Sequence, residues 1–205
     1  GNQSFTAHTI SNTSDRAMGV VVNDLDGDGD MDFVAVFRGD DRVVWFKNDG
    51  EESFTEIVIA SDADNVHGVY AADVDGDGDV DVFSASPNDQ KVAWYENDGS
   101  QNFTSRVIST SSAEPYGVSV ADLDGDGDLD VLSASFSDNK IAWYEHNVLP
   151  TLDAVISLVI DQDADQQTVN LAGISAGGNE SQLLQVTVTS SDTDLILDPT
   201  VTYTS

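Results

Sequence analysis

The sequence predicts an all-β fold built from three copies of a four-stranded unit stacked side by side. Three observations carry this reading. Landmarks recur at a fixed interval of 49 residues: Phe5, Phe54, Phe103; Gly19, Gly68, Gly117; Trp45, Trp94, Trp143. Each copy contains four short β-prone runs separated by turn-forming residues, which in the second copy fall at 68–72, 81–85, 91–96 and 103–108. Between the first and second runs of every copy lies the same acidic, glycine-bearing stretch. An uninterrupted period of 20 to 50 residues marks a repeat architecture, and four antiparallel strands per period describe a β-propeller blade.

Taken in chain order, residues 5–10 correspond to a fourth-type strand without preceding partners. The blades follow, and the third stops after Glu145 without a fourth strand of its own. Each third run pairs two large aromatics, Trp45-Phe46, Trp94-Tyr95 and Trp143-Tyr144, and successive strand residues face opposite sides of a sheet. Large residues on both faces are what a blade with two neighbours requires. Three blades fall short of the four to eight that close a ring, so an incomplete propeller is expected, a slice of a larger protein or half of a ring. Its open edges and faces predict self-association, capture of missing blades, or cover by the rest of the chain.

The acidic stretch is Asp-x-Asp-Gly-Asp-Gly-Asp-x-Asp, supplying Asp24, Asp26, Asp28, Asp30 and Asp32; Asp73, Asp75, Asp77, Asp79 and Asp81; and Asp122, Asp124, Asp126, Asp128 and Asp130. Five carboxylates on alternate residues repel one another, and a hard cation among them removes the conflict. The pattern matches the start of the calcium loop of helix-loop-helix hands: side-chain oxygens from positions 1, 3 and 5, glycine at position 6, a backbone carbonyl at position 7. Position 12 holds Ala35, Ser84 or Ser133 instead of the bidentate Glu, so position 9 is the expected closing carboxylate. The apolar, β-branched residues that follow read as a strand, giving calcium loops in a β context. About three calcium ions are expected, one per copy; magnesium, which keeps most of its waters, is the runner-up.

These loops, with the Trp-Tyr-Glu-Asn-Asp-Gly ending at residues 94–99, resemble the VCBS and FG-GAP repeat families over about residues 5–147. The integrin α-subunit relatives of those families form calcium-bound seven-bladed propellers, so the resemblance implies blades with structural calcium.

The period ends after Asn147, which places the domain boundary between 1–147 and 148–205. Strand-like runs at 155–160, 167–171, 183–189 and 201–204, with Gly177-Gly178 between them, resemble the start of an immunoglobulin-like or cadherin-like sandwich. Such a sandwich needs about seven strands, so a partial one is expected.

A formal net charge of -31 makes nucleic acid and anionic membranes poor partners. No stretch is apolar enough to insert into a membrane, and the absence of cysteine leaves calcium as the available staple. The reading is a secreted or cell-surface protein, with any signal peptide upstream of this segment. Calcium-stabilised scaffolding or adhesion toward protein or polysaccharide outside the cell is the favoured role. A lectin-like propeller, or a non-catalytic module of a polysaccharide-active enzyme, is the alternative, with Tyr116 and Phe136 as the aromatics that could stack on a sugar ring. No catalytic constellation is expected: His8, His67 and His146 lack ligand or triad spacing.

Overall fold

The computed structural model describes residues 3–147; the partial sandwich expected at 148–205 lies outside the described residues. The chain divides into two compact units, Gly1–His146 and Asn147–Ser205. Within the first, eleven strands form three antiparallel sheets, and no helix occurs among the described residues. The first sheet is β1 (Ala17–Asn23), β2 (Asp32–Phe37), β3 (Arg42–Asn48) and β4 (Phe54–Ala60). The second is β5 (Gly68–Ala72), β6 (Asp81–Ser86), β7 (Lys91–Asn97) and β8 (Phe103–Ser109). The third has three strands, β9 (Pro115–Ala121), β10 (Asp130–Ser135) and β11 (Lys140–Tyr144). The strands expected in the second copy are thus present, three of them one residue longer at the C-terminal end.

Every sheet is a meander whose neighbours in sequence are neighbours in space. The turns that make this possible repeat with the sequence. Asp41, Gln90 and Asn139 take φ of 56°, 57° and 53° in the hairpins after β2, β6 and β10. Glu52 and Gln101 do the same, at 64° and 67°, ahead of β4 and β8. Registers repeat as well: Trp45 faces Ile57 as Trp94 faces Arg106, and a bulge follows both Val43 and Val92.

The core lies between the sheets. Leu25, Val34, Val36, Val43 and Trp45 of the first copy pack with Val66, Val82, Ala93 and Tyr95 of the second. On the other face of the second sheet, Val74, Phe83 and Val92 meet Val120 and Val131. The aromatic pairs divide as their alternation requires: Trp45 enters one layer while Phe46 joins Ala35, Phe37 and Val44 on the opposite face, where its ring stacks on Phe33 at 4.6 Å.

Residues 5–10 depart from expectation. They form no strand and are exposed, Phe5 completely so. A strand is held by its ladder, and no sheet edge among the described residues pairs with this segment.

Candidate metal loops

The three acidic loops connect β1 to β2, β5 to β6 and β9 to β10. Their glycines permit the winding: at position 6, Gly29, Gly78 and Gly127 take φ of 96°, 98° and 98°, a region closed to most side chains. Local hydrogen bonds curl the carboxylates inward. The position-1 side chain of Asp73 accepts from the amides of Gly76 and Gly78 at 2.9 and 3.0 Å. At position 5, Asp28, Asp77 and Asp126 each accept the amide of position 7, at 3.0, 2.9 and 2.9 Å.

Position 9 does more than the sequence implied. Asp32, Asp81 and Asp130 are fully buried at the start of the second strand of each sheet. One oxygen of each accepts the amide of position 2 (Leu25, Val74, Leu123) at 3.1, 3.2 and 3.1 Å. The other accepts the amide of Asn48, Asn97 or His146, at 2.7, 2.8 and 2.9 Å. One carboxylate therefore ties the beginning of its loop to the end of the third strand. The asparagines extend the link: Asn97 donates through Nδ2 to the carbonyl of Val80 in its own sheet and to that of Leu25 in the preceding copy, at 3.1 and 3.0 Å.

Carboxylate oxygens converge within 4.8 Å of one another in three groups: Asp24, Asp26 and Asp32; Asp73, Asp75 and Asp77; Asp122, Asp124 and Asp130. Asp28, Asp81 and Asp126 stand outside these groups, as do the position-7 residues Asp30, Asp79 and Asp128. At position 7, the side chains of Asp30 and Asp79 turn away from the centre and lie over Gly50 and Gly99 in the turn after the third strand, leaving no room for a Cβ there. In the first loop, Asp24 Oδ1 and Asp26 Oδ1 are buried without a hydrogen-bond partner. Buried anionic oxygens without a donor are costly, and a hard cation taking oxygen ligands satisfies them. The donor set therefore fits calcium.

Electrostatics point the same way. Burial, only partly offset by the two amide bonds, pushes the Asp81 carboxyl up to about 6. Burial also raises Asp75, with the charge of Asp77 adding to it, and raises Asp32 and Asp124. The loops differ in one feature that the nine-residue pattern alone does not show. Lys47 on β3 forms an ion pair with Asp26 and lies 3.9 Å from Asp28. The equivalent positions in the other copies hold Glu96 and Glu145. Extending the alignment of copies from the loop to the third strand would have exposed this charge reversal.

A second cluster lies away from the metal loops. His67 meets Tyr116 edge-on at 4.6 Å, and Tyr116 meets Phe136 at 6.0 Å, with Tyr116 and Phe136 exposed. Burial and the charge of Arg38 hold the imidazole of His67 below its ordinary value. His8 is exposed, and the ring of His146 packs edge-on against Trp94 while its backbone amide holds Asp130; none of the three imidazoles is a member of the converging groups.

Among solved structures, the chain is similar to one described as the structural basis of specific recognition of non-reducing terminal N-acetylglucosamine by an Agrocybe aegerita lectin. Identity is 21% and the TM-score 0.44, over 58% of this chain and 33% of that one, so the chain spans about a third of that lectin's length. No curated protein matches the sequence. Two overlapping matches to the FG-GAP-like repeat cover residues 24–84 and 73–133, each running from one acidic loop through the next. Together they span more than half of the sequence, and the chain belongs to the FG-GAP-like repeat family.

Proposed function

We propose that the three sheets are β-propeller blades and that each acidic loop holds one structural calcium ion, in a non-catalytic extracellular module that displays its turns to protein or polysaccharide. The observation that carries the metal assignment is the pair of buried, unpartnered oxygens of Asp24 and Asp26 in the first loop, within a group of three converging carboxylates; each other copy also converges three, from positions 1, 3 and 9 in the third loop and 1, 3 and 5 in the second. The ligands would be the side chains of positions 1, 3, 5 and 9 with the carbonyl of position 7. Position 9 orients the others even before an ion arrives, because both of its oxygens hold backbone amides. Calcium then neutralises the remaining repulsion and fixes the loop that joins two strands. With its strong negative charge, the protein suits the calcium-rich, screened setting of a secreted or cell-surface protein. Calorimetric titration of the metal-free chain tests the reading: about three calcium sites are expected, and no binding, or preference for magnesium, would sink it.

The exposed pair Tyr116 and Phe136 favours a carbohydrate as the displayed partner, since aromatic faces stack on the apolar face of a sugar ring. A glycan array probed with the wild-type chain and with Phe136→Ala, in calcium and in chelator, tests this. Equal signals from both chains would exclude the shelf.

A further inference from the structure

The joint between successive sheets is made twice in this structure, and both of its halves are also present unused. At each joint a glycine accepts the close approach of the next copy's backbone. A Cβ on Gly19 would stand 2.8 Å from the carbonyl oxygen of His67, and one on Gly68 would stand 2.8 Å from that of Tyr116. The third glycine of the series, Gly117, would meet only Ala134 Cβ, at 3.5 Å, among the described residues. Met18, which corresponds to His67 and Tyr116, therefore carries a carbonyl with no glycine to fit.

The side chains repeat the pattern. Trp45 and Val43 are 0% exposed inside the first joint, whereas their third-copy equivalents Trp143 and Ile141 are 48% and 71% exposed. On the opposite end, Val20 and Val22 are 65% and 61% exposed, where Ala71 and Val120, which correspond to Val22, are buried at 7% and 6%. Asn97 reaches back to the Leu25 carbonyl, while Asn48 bonds only within its own sheet, to Met31. The Leu123 carbonyl is the acceptor its position calls for.

The strand account is incomplete at the same two places. Among the described residues the third sheet has no strand beyond β11, and residues 5–10, whose repeat position is that of a fourth strand, are exposed without a sheet. Moving the registers Asn48↔Phe54, Trp45↔Ile57 and Val44↔Val58 along the repeat pairs His146 with Phe5, Trp143 with His8 and Ala142 with Thr9. Residues 3–10 carry no carboxylate, and the paired segment 142–146 carries only Glu145, so no two carboxylates face each other across this pairing.

We infer that two copies of this chain associate head to tail, the first sheet and residues 5–10 of each docking on the third sheet of the other. Two such joints close a ring of six sheets, within the four to eight that propellers use, and a heterologous contact that closes leaves no open face. The inference rests on the blade reading of the sheets and is independent of calcium occupancy.

Sedimentation of the full chain across concentration, in calcium, is expected to show a monomer converting to a pair with no larger species. Gly117 does not have the positive φ that disfavours side chains and has open space around it, so Gly117→Val is expected to fold and remain monomeric. Gly19→Val, which would strike the joint inside the chain, is expected to lower the thermal midpoint; an unchanged midpoint would overturn the blade reading itself. A chain bearing Thr9→Cys, mixed with one bearing Ala142→Cys under oxidising conditions, is expected to give a disulfide-linked heterodimer, since opposed antiparallel Cα atoms lie within disulfide reach. A monomer at every concentration, unlimited growth, pairing undiminished by Gly117→Val, or a disulfide formed within a single doubly substituted chain would each overturn the inference.

Discussion

Lys47 places its ammonium on the Asp26 carboxylate inside the first acidic loop, and no other copy has a cation at that position. The first loop thus carries part of its own counter-charge, whereas the second has Glu96 near Asp75, close enough to raise that carboxyl further. Three loops with one ligand pattern are therefore not three equal sites.

Calcium should bind the first loop more weakly than the other two. Lys47→Glu is expected to strengthen it by about tenfold, roughly 1.4 kcal/mol, by removing the competing cation and adding a carboxylate. Glu96→Lys should weaken the second loop comparably. Titration calorimetry resolves the two classes; three sites of equal affinity in the wild type would refute the role of Lys47.

In the second loop, three single substitutions should rank by what each carboxylate touches. Asp81→Ala strands the buried amides of Val74 and Asn97, at about 1–3 kcal/mol for each unpaired group, and lowers stability with or without calcium. Asp77→Ala removes a converging oxygen and one exposed hydrogen bond to the Asp79 amide, so its cost is small in chelator and larger in calcium. Asp79→Ala, whose side chain lies over Gly99, leaves the converging oxygens in place and should cost least. Thermal midpoints in calcium and in chelator give the order directly.

The dependence on pH should reverse with metal. Because burial raises the Asp81 carboxyl to about 6, above its unfolded value near about 4, folding without metal takes up a proton. The cost of the buried charge is complete above about pH 6 and fades as pH falls through that value toward about 4. Metal-free protein should therefore gain stability between about pH 7 and 5. Calcium-loaded protein should lose stability over the same range, since the ligands must stay ionised. Denaturant midpoints measured at each pH would expose the opposite slopes, and parallel curves would contradict this account.

Trp45 and Trp143 occupy the same place in the repeat but opposite environments. Trp45→Ala is expected to cost about 3–5 kcal/mol from the layer between the first two sheets. In dilute monomer Trp143→Ala should cost far less, because half of that side chain faces solvent. Chemical denaturation at low concentration separates the two.

Much of this was legible in the sequence because the repeat is strict. A fixed interval located the strands of the second copy to within a residue, and alternation assigned Trp94 and Tyr95 to opposite faces before any coordinates. Other features depend on distant atoms and left weaker traces. The buried clamp of Asp81 on Asn97 spans 16 residues and links a loop to a strand end that no local pattern pairs with it. Lys47 lies 21 residues from Asp26, on a strand whose charged positions vary between copies. Residues 5–10 have a strand's composition, but composition supplies no partner, and a ladder needs two sides.

Because every ladder among the described residues lies within one meander, none of their strands is threaded between distant parts of the chain. Gaining or losing one whole period by recombination would leave each remaining sheet with its own hairpins and its own clamp intact. Only the layer between neighbours would have to be re-formed, and it uses nearly the same side chains each time. A repeat of this kind can change length in single-copy steps without passing through an unfoldable intermediate.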